Sequence, residues 1–119
     1  MKKLKLELYW KISLNEYYSG KHWSVRSGHK TNYRDAYVGK LKELRKFENK
    51  VDIEFDFTFK SRALDSSNCS AMVKLLEDCM VKAGVIQNDS PKFVGWISMK
   101  SMKGLKDSVT ITIKENNDE

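Results

Sequence analysis

Residues 62–91 decide the fold, and they read RALDSSNCSAMVKLLEDCMVKAGVIQNDSP. Within this segment apolar residues recur at spacings of three and four, which predicts an amphipathic helix with one face in the core. The apolar positions of that face are Ala71, Met72, Leu75, Leu76, Cys79, Met80 and Ala83. Gly84 can adopt the left-handed conformation that commonly follows a helix, so we expect the helix to end there.

Polar and charged residues occupy the other face of this predicted helix. They are Ser70, Lys74, Glu77, Asp78 and Lys82. Asp65 and Asn68 lie in a polar turn before the helix, and Asp89 lies in a turn after it. Each of these residues alone is typical of helix caps and turns. Together, the carboxylates could hold a divalent cation through oxygen ligands while the Lys74 ammonium neutralises a phosphate.

The same residues resemble the core of the RusA-type Holliday junction resolvases. In that family an Asp-x-Asp-Asn motif precedes a helix, a lysine lies in the first turns of the helix, and an aspartate follows it. Lys74 and Asp89 match that lysine and that last aspartate at the spacing of the family. If three extra residues are allowed, Asp65, Ser67 and Asn68 align with the first motif, so that serine replaces its second acid.

If the three extra residues are not allowed, Asn68, Ser70 and Ala71 align with the family motif instead. The metal site would then be lost. We prefer the gapped alignment, which keeps the first acid and the asparagine. It leaves one ligand unaccounted for, and Glu77 or Asp78 is the nearest candidate to replace it.

The resemblance covers nearly the whole chain, because residues 13–18 resemble the early loop of the family and residues 33–35 resemble the start of its first helix. It implies a structure-selective endonuclease that resolves four-way DNA junctions by magnesium-dependent phosphodiester hydrolysis. Two symmetric nicks require two active sites, and a homodimer is the simplest way to present them.

The resemblance also implies roles for individual residues. Asp65, Lys74 and Asp89 would be catalytic, and Asp65, Asp89 and Asp78 would hold the Mg²⁺ ion. Lys74 would stabilise the charge that develops on the phosphoryl oxygens. Because Ser67 departs from the family motif, the alternative function is a catalytically impaired DNA-binding module with the same fold.

Residues 21–30 are basic, contain no acid, and are predicted to form a loop because of their serine and glycine content. A basic loop with aromatic residues suits contact with a phosphate backbone or an unstacked base. The residues expected to contact DNA are Lys21, Arg26, Lys30 and Trp23. The alternatives are a solvated loop whose Trp23 packs into the core, or a protein-binding surface formed by Trp23 and Tyr17.

Length and composition limit the possible classes of protein. The 119 residues are predicted to form one domain, residues 1–119, and the net charge of +6 favours a polyanionic partner. No apolar run approaches the roughly 18 residues needed to cross a bilayer, so we expect no membrane partner and a cytoplasmic location. Cys69 and Cys79 lie ten residues apart on one predicted helix, which is too far for a disulfide.

Alternation of apolar and polar residues predicts strands at residues 4–10 and 51–60. Between them, a helix is expected to begin at Thr31 or Asn32, because either residue can cap it. Glu54 and Asp56 point the same way from the second strand, as a possible carboxylate pair or, more simply, as part of a solvated sheet face.

Residues 93–100 and 108–114 look like two further strands, joined as a hairpin through residues 103–106. The fold class predicted from the whole chain is therefore α+β. The expected domain has the order β-α-β-α-β-β, with a mixed sheet and two helices, as in a RusA-like protein.

Chain geometry adds a hypothesis about the dimer. The central helix would span about 24 Å, whereas the six residues that follow it reach at most about 20 Å. Asp89 would therefore have difficulty reaching Asp65 of its own chain. If the central helices packed antiparallel across a two-fold axis, Asp89 of one subunit could approach Asp65 of the other.

Overall fold

A computed structural model describes residues 1–17 and 23–116, and the side chains of all of these except residues 23–25. The strands are β1 (Lys2–Glu7), β2 (Val51–Phe59), β3 (Val94–Lys103) and β4 (Ser108–Glu115). The helices are α1 (Leu14–Tyr17), α2 (Trp23–Leu41) and α3 (Ser70–Lys82), with 3₁₀ turns at Lys42–Leu44 and Ser66–Cys69. The predicted order of strands and long helices is therefore observed, and the short helix α1 is additional.

The four strands form one mixed sheet in the order β1-β4-β2-β3. β2 and β3 are parallel and are joined through α3, whereas β4 is antiparallel to both β1 and β2. The predicted hairpin of the last two strands is wrong, because β2 lies between them. Their connection instead passes the end of β2, where the Gly104 amide donates a hydrogen bond to the Phe59 carbonyl oxygen at 2.9 Å.

The inward face of β2 is the centre of the core, as its alternating pattern predicts. Its five apolar side chains, Val51, Ile53, Phe55, Phe57 and Phe59, are fully buried. Each such side chain contributes about 1.5–3 kcal/mol relative to an exposed one. On the opposite face Glu54 lies 3.7 Å from Lys114 Nζ, and the buried Asp56 Oδ1 accepts no hydrogen bond from any described residue. Glu54 is thus paired with a lysine of β4.

α2 begins at Trp23, so the prediction of a loop through residues 21–30 is wrong from residue 23 onward. Serine and glycine are weak helix formers, but tertiary packing can override such local preferences. The later turns of α2 supply that packing, because Tyr33, Tyr37 and Leu41 are fully buried. The Tyr37 hydroxyl also donates a hydrogen bond to the Glu7 carbonyl oxygen of β1 at 2.8 Å.

α3 has the predicted apolar face, and it ends at Lys82, two residues before Gly84, which has the positive φ expected of it (77°). Cys69 and Cys79 are both buried and free, as expected. One residue of the predicted solvent face is different: Glu77 is only 9% exposed. Among the described residues, no helix is long and apolar enough to cross a membrane.

Gly95 in β3 lies where a side chain would collide with Asp52 and Asn116. Hydrogen bonds hold these two side chains in place. Asp52 Oδ1 accepts one from Asn116 Nδ2 at 2.8 Å and one from the Trp96 amide at 3.0 Å. We therefore expect Gly95→Ala to lower the free energy of unfolding by about 1–3 kcal/mol, measured by urea denaturation.

The control for this substitution is Gly28→Ala in α2, where an added Cβ meets nothing within 4 Å. Because glycine is unfavourable inside a helix, Gly28→Ala should raise the free energy of unfolding by about 0.5–1 kcal/mol. Wild-type stability of Gly95→Ala would contradict the close packing at this position.

Candidate active site

The acids that the sequence singles out fall into two groups, one before α3 and one beside it. Asp65 belongs to the first group and lies at the exposed start of the 3₁₀ turn. It shares a cleft of about 450 Å³ with Asn68, and with Asn15 and Glu16 of α1. The cleft therefore brings the early segment of the chain against the turn that precedes α3.

Backbone contacts hold Asp65 in place and leave its carboxylate out of the turn. Its carbonyl oxygen accepts a hydrogen bond from the Asn68 amide at 2.9 Å. Its side chain makes no capping hydrogen bond to the 3₁₀ turn. Helix capping, the simplest structural role for this acid, is thus not the role that Asp65 has here.

Glu16 is an acid of this cleft that was not singled out from the sequence. The Glu16 amide donates to Ser13 Oγ at 3.1 Å, and the Ser13 amide donates to Glu16 Oε1 at 3.4 Å. This reciprocal pair is a capping box, whose Ser-x-x-Glu signature is visible in the sequence. The signature could have placed Glu16 at a helix start, but its proximity to Asp65 depends on tertiary packing.

The second group consists of Glu77, Asp78, Asp89 and Lys74. Burial, with the negative charges of Asp89 and Asp78, raises the pKa of Glu77 to about 7, while the positive charge of Lys74 opposes the shift. Asp89 is therefore close enough to the middle of α3 for its charge to act on Glu77. Lys74, one turn earlier on α3, is exposed to solvent.

The turn that carries Asp89 is stabilised by its neighbours. Asn88 Oδ1 accepts a hydrogen bond from the Ser90 amide at 2.9 Å, and the Ser90 carbonyl oxygen accepts one from the Phe93 amide, also at 2.9 Å. Asp89 itself is exposed. The turn thus fixes the backbone while the carboxylate of Asp89 stays accessible.

The structure does not gather Asp65, Asp78 and Asp89 into one metal site. Within residues 1–17 and 23–116, no three histidine, cysteine, aspartate or glutamate side chains are grouped so that they could hold a metal ion. Instead Asp65 shares its cleft with Glu16, and Asp89 acts electrostatically on Glu77. Glu77 and Asp78 are the two candidates to replace the second acid of the family motif. Of these two residues, Glu77 is the buried one.

The residues expected to contact DNA are only partly described. Lys21 and the side chain of Trp23 lie outside the described residues. Arg26 is half-buried and Lys30 is exposed, and both are on α2 rather than in a loop.

The raised pKa of Glu77 predicts how stability depends on pH. Between its usual value near 4.5 and about 7, the folded protein binds a proton that the unfolded chain has released. The free energy of unfolding should therefore fall as pH rises through this range, by on the order of 1–2 kcal/mol after solvent screening. When Glu77→Gln is denatured at pH 5 and at pH 8, its free energy of unfolding should fall less between the two pH values than that of the wild-type protein.

The control for this prediction is Glu43→Gln, because Glu43 is an exposed acid. It should keep the pH dependence of the wild-type protein. If Glu77→Gln and Glu43→Gln lost the same stability between pH 5 and pH 8, Glu77 would not be the group that titrates.

No protein-family model matches the chain, and no curated protein is similar enough to count as a relative.

Proposed function

We propose that this protein is a magnesium-dependent endonuclease that cuts four-way DNA junctions, as the resemblance to RusA-type resolvases implies. The observation that supports the proposal is the buried Glu77, whose pKa is raised by the negative charge of Asp89 and lowered by the positive charge of the exposed Lys74. A carboxylate pair with a neighbouring ammonium group suits phosphodiester hydrolysis, which needs both a cation site and a group that binds the phosphate.

The donor set of this pair fits magnesium. Mg²⁺ prefers oxygen ligands and keeps several waters, so one or two carboxylates are enough to hold it. Burial and the Asp89 charge both raise the pKa of Glu77, which means that the negative charge of Glu77 is unfavourable in the folded protein. A cation held by Glu77 and Asp89 would relieve that cost. When bound there, magnesium would polarise the scissile phosphate and activate a water molecule.

In this proposal, the residues of the two groups have different roles. Lys74 binds a non-bridging phosphate oxygen and stabilises its growing negative charge. Glu77 and Asp89 would hold the cation, and Glu77 would have to be deprotonated to serve as a ligand. Asp65 and Asn68, in the cleft before α3, contact the substrate strand or complete the ligand set from a second subunit.

The second part of the proposal is a homodimer with two active sites. Paired nicks on opposite strands of a junction require two sites related by symmetry. An antiparallel arrangement of two α3 helices would bring Asp89 of one subunit toward Asp65 of its partner. This arrangement would unite the two groups of acids that are separate within one chain.

The test is incubation of the protein with a synthetic four-way junction, with and without Mg²⁺. Paired nicks near the branch point that appear only with Mg²⁺ support the proposal. A linear duplex of the same sequence is the matched control, and it should stay intact. Equal cutting of both substrates would mean a nuclease that does not recognise junctions.

The second candidate is a junction-binding module without catalysis. It is favoured by Ser67 at a motif position that is acidic in the family, and by the separation of Asp65 from Glu77 and Asp89. This module would shift the junction in a gel without cutting it, at every Mg²⁺ concentration.

A further inference from the structure

The face of the sheet opposite the core carries a row of four residues, one from each strand. Lys5 of β1 lies opposite Thr110 of β4, and Thr110 in turn lies opposite Asp56 of β2. Lys100 of β3 is the partner of Asp56 on the other side. Neighbouring strands are about 4.8 Å apart, so the row is about 14 Å long. It places one carboxylate between two exposed lysines.

The charged groups of this row have no partners among the described residues. Asp56 Oδ1 is buried but accepts no hydrogen bond, and the Asp56 carboxylate forms no ion pair there. The ammonium groups of Lys5 and Lys100 also form no hydrogen bond or ion pair within residues 1–17 and 23–116. A buried acceptor without a donor is unfavourable. Asp56 is therefore able to accept hydrogen bonds from a ligand.

Two adjoining cavities lie on this face of the sheet. Their volumes are about 610 Å³ and about 310 Å³, which is the size range of small-molecule sites. Three residues line both cavities: Lys5, Thr58 and Ser108. The larger cavity extends to Lys106 in the loop between β3 and β4, and the smaller one contains Asp56. We call the two cavities together the open-face site.

The charged residues of the open-face site are three lysines and two acids, an excess of one positive charge. They are Lys5, Lys100, Lys106, Glu7 and Asp56. Between them lie short hydroxyl side chains. Thr58 Oγ1 and Ser108 Oγ are 2.5 Å apart, so one hydroxyl donates to the other and the pair keeps one proton to donate to a ligand. None of the residues that line the two cavities is aromatic.

A ligand that suits this site carries an anionic group at one end and hydrogen-bond donors at the other. A simple anion would fit the lysines but leave Asp56 without a donor, and a simple cation would fit Asp56 but be repelled by the lysines. Phosphate accepts strong hydrogen bonds from ammonium groups. Sugar hydroxyls donate to carboxylates, as ribose does in dinucleotide-binding proteins. The absence of aromatic rings from the lining favours a sugar over a stacked base.

We propose that the open-face site binds a ribose phosphate, with the phosphate between Lys5 and Lys106 and the sugar hydroxyls on Asp56. Lys5 and Asp56 lie two strands apart, about 10 Å at the backbone, with Thr110 between them. The sugar would lie over Thr110. A free sugar phosphate and a nucleotide both have this chemistry. Binding here does not depend on junction cleavage, because α3 packs in the core on the other side of the sheet.

The test is titration of the full chain with ribose 5-phosphate, followed by NMR spectra of the backbone amides. The amides of Lys5, Asp56 and Ser108 should shift and saturate, with a dissociation constant of about 1 mM or tighter. 2-Deoxyribose 5-phosphate lacks one hydroxyl, and inorganic phosphate lacks the sugar, so each should bind about ten-fold more weakly. Equal affinity for all three, or no shift of these amides at about 10 mM, overturns the proposal.

Substitutions at Asp56 and Lys106 test the two ends of the ligand separately. Lys106→Gln should weaken the binding of ribose 5-phosphate and of inorganic phosphate, each by about ten-fold. Asp56→Asn should weaken only the binding of ribose 5-phosphate. If Asp56 merely repelled anions, its loss would strengthen the binding of both, and the proposal would be wrong. The comparison of sugars on the wild-type protein needs no variant, so it decides even if a variant fails to fold.

The matched controls are Lys42→Gln and Glu43→Gln, which remove the same charges from exposed positions in the 3₁₀ turn after α2. Both should bind ribose 5-phosphate as the wild-type protein does. If Lys42→Gln weakened binding as much as Lys106→Gln, only net charge would matter, and the open-face site would be refuted.

Adenosine monophosphate distinguishes the two sources of a ribose phosphate. If it binds at least as tightly as ribose 5-phosphate, with the same amides shifting, the ligand is a nucleotide. If it binds more weakly, the ligand is the free sugar phosphate, and either result supports the site. A protein that cuts junctions but binds no ribose phosphate refutes the open-face site alone. A protein that binds ribose phosphate but never cuts refutes the endonuclease alone.

Discussion

Replacing Asp89 by asparagine is expected to lower the rate of junction cleavage by orders of magnitude while leaving junction binding intact. Asparagine keeps the size and the hydrogen bonding of aspartate, and it serves a turn nearly as well. It removes the negative charge that a magnesium ion needs. The rates are measured in Mg²⁺ on a four-way junction, and binding is measured separately in EDTA.

A readout that does not depend on activity accompanies this substitution. Asp89 raises the pKa of Glu77, so Asp89→Asn should bring that pKa closer to its usual value. The loss of stability between pH 5 and pH 8 should then be smaller than in the wild-type protein. Mg²⁺ at pH 8 should raise the melting temperature of the wild-type protein but have little effect on Asp89→Asn.

Asp65→Asn and Glu48→Gln complete the comparison. Asp65→Asn should also reduce cleavage if the cleft before α3 belongs to the active site, whereas Glu48 is an exposed acid outside both groups and serves as the control. A large loss in Asp89→Asn with wild-type rates in Asp65→Asn would place catalysis beside α3 only. Wild-type rates in both asparagine variants would rule out both acids as ligands.

Replacing Lys74 by methionine should lower the cleavage rate by about 10²–10³-fold, the usual effect of removing one group that stabilises transition-state charge. Methionine keeps the length and flexibility of lysine, and Lys74 is exposed, so folding should be unaffected. The measurement is the single-turnover rate at saturating protein, which isolates the chemical step from binding.

Lys82→Met is the matched control for Lys74→Met, because Lys82 is an exposed lysine at the end of the same helix. It removes the same charge at a greater distance from Glu77 and should leave the single-turnover rate unchanged. Equal losses in the two variants would mean that the lysines act through net charge, and the role assigned to Lys74 would be wrong.

Several features of the fold could be predicted from the sequence because they depend on local periodicity. The alternation from Val51 to Phe59 places every second residue on one side of a strand, whatever its neighbours are. The spacing of three and four in α3 defines one apolar face, and Gly84 ends the helix because it can adopt a positive φ. These are properties of a few consecutive residues.

The candidate site could be predicted only in part, because local spacing does not show which parts of the chain pack together. Asp65, Lys74 and Asp89 could be singled out by residue type and spacing. Glu77 was placed on the solvent face of α3 because a helical pattern shows only the direction in which a side chain points. Whether solvent lies in that direction depends on what packs there, and the turn that carries Asp89 lies beyond the end of α3.

The sequence by itself determined the approximate positions of the four strands and of α3, because hydrophobic periodicity and turn chemistry act over a few residues. Tertiary structure alone decided that β2 separates β3 from β4, that α2 extends back to Trp23, and that the acids divide into two groups. These features depend on contacts between residues far apart in the chain, whose free energy comes from burying apolar faces together. Local patterns do not encode which faces meet.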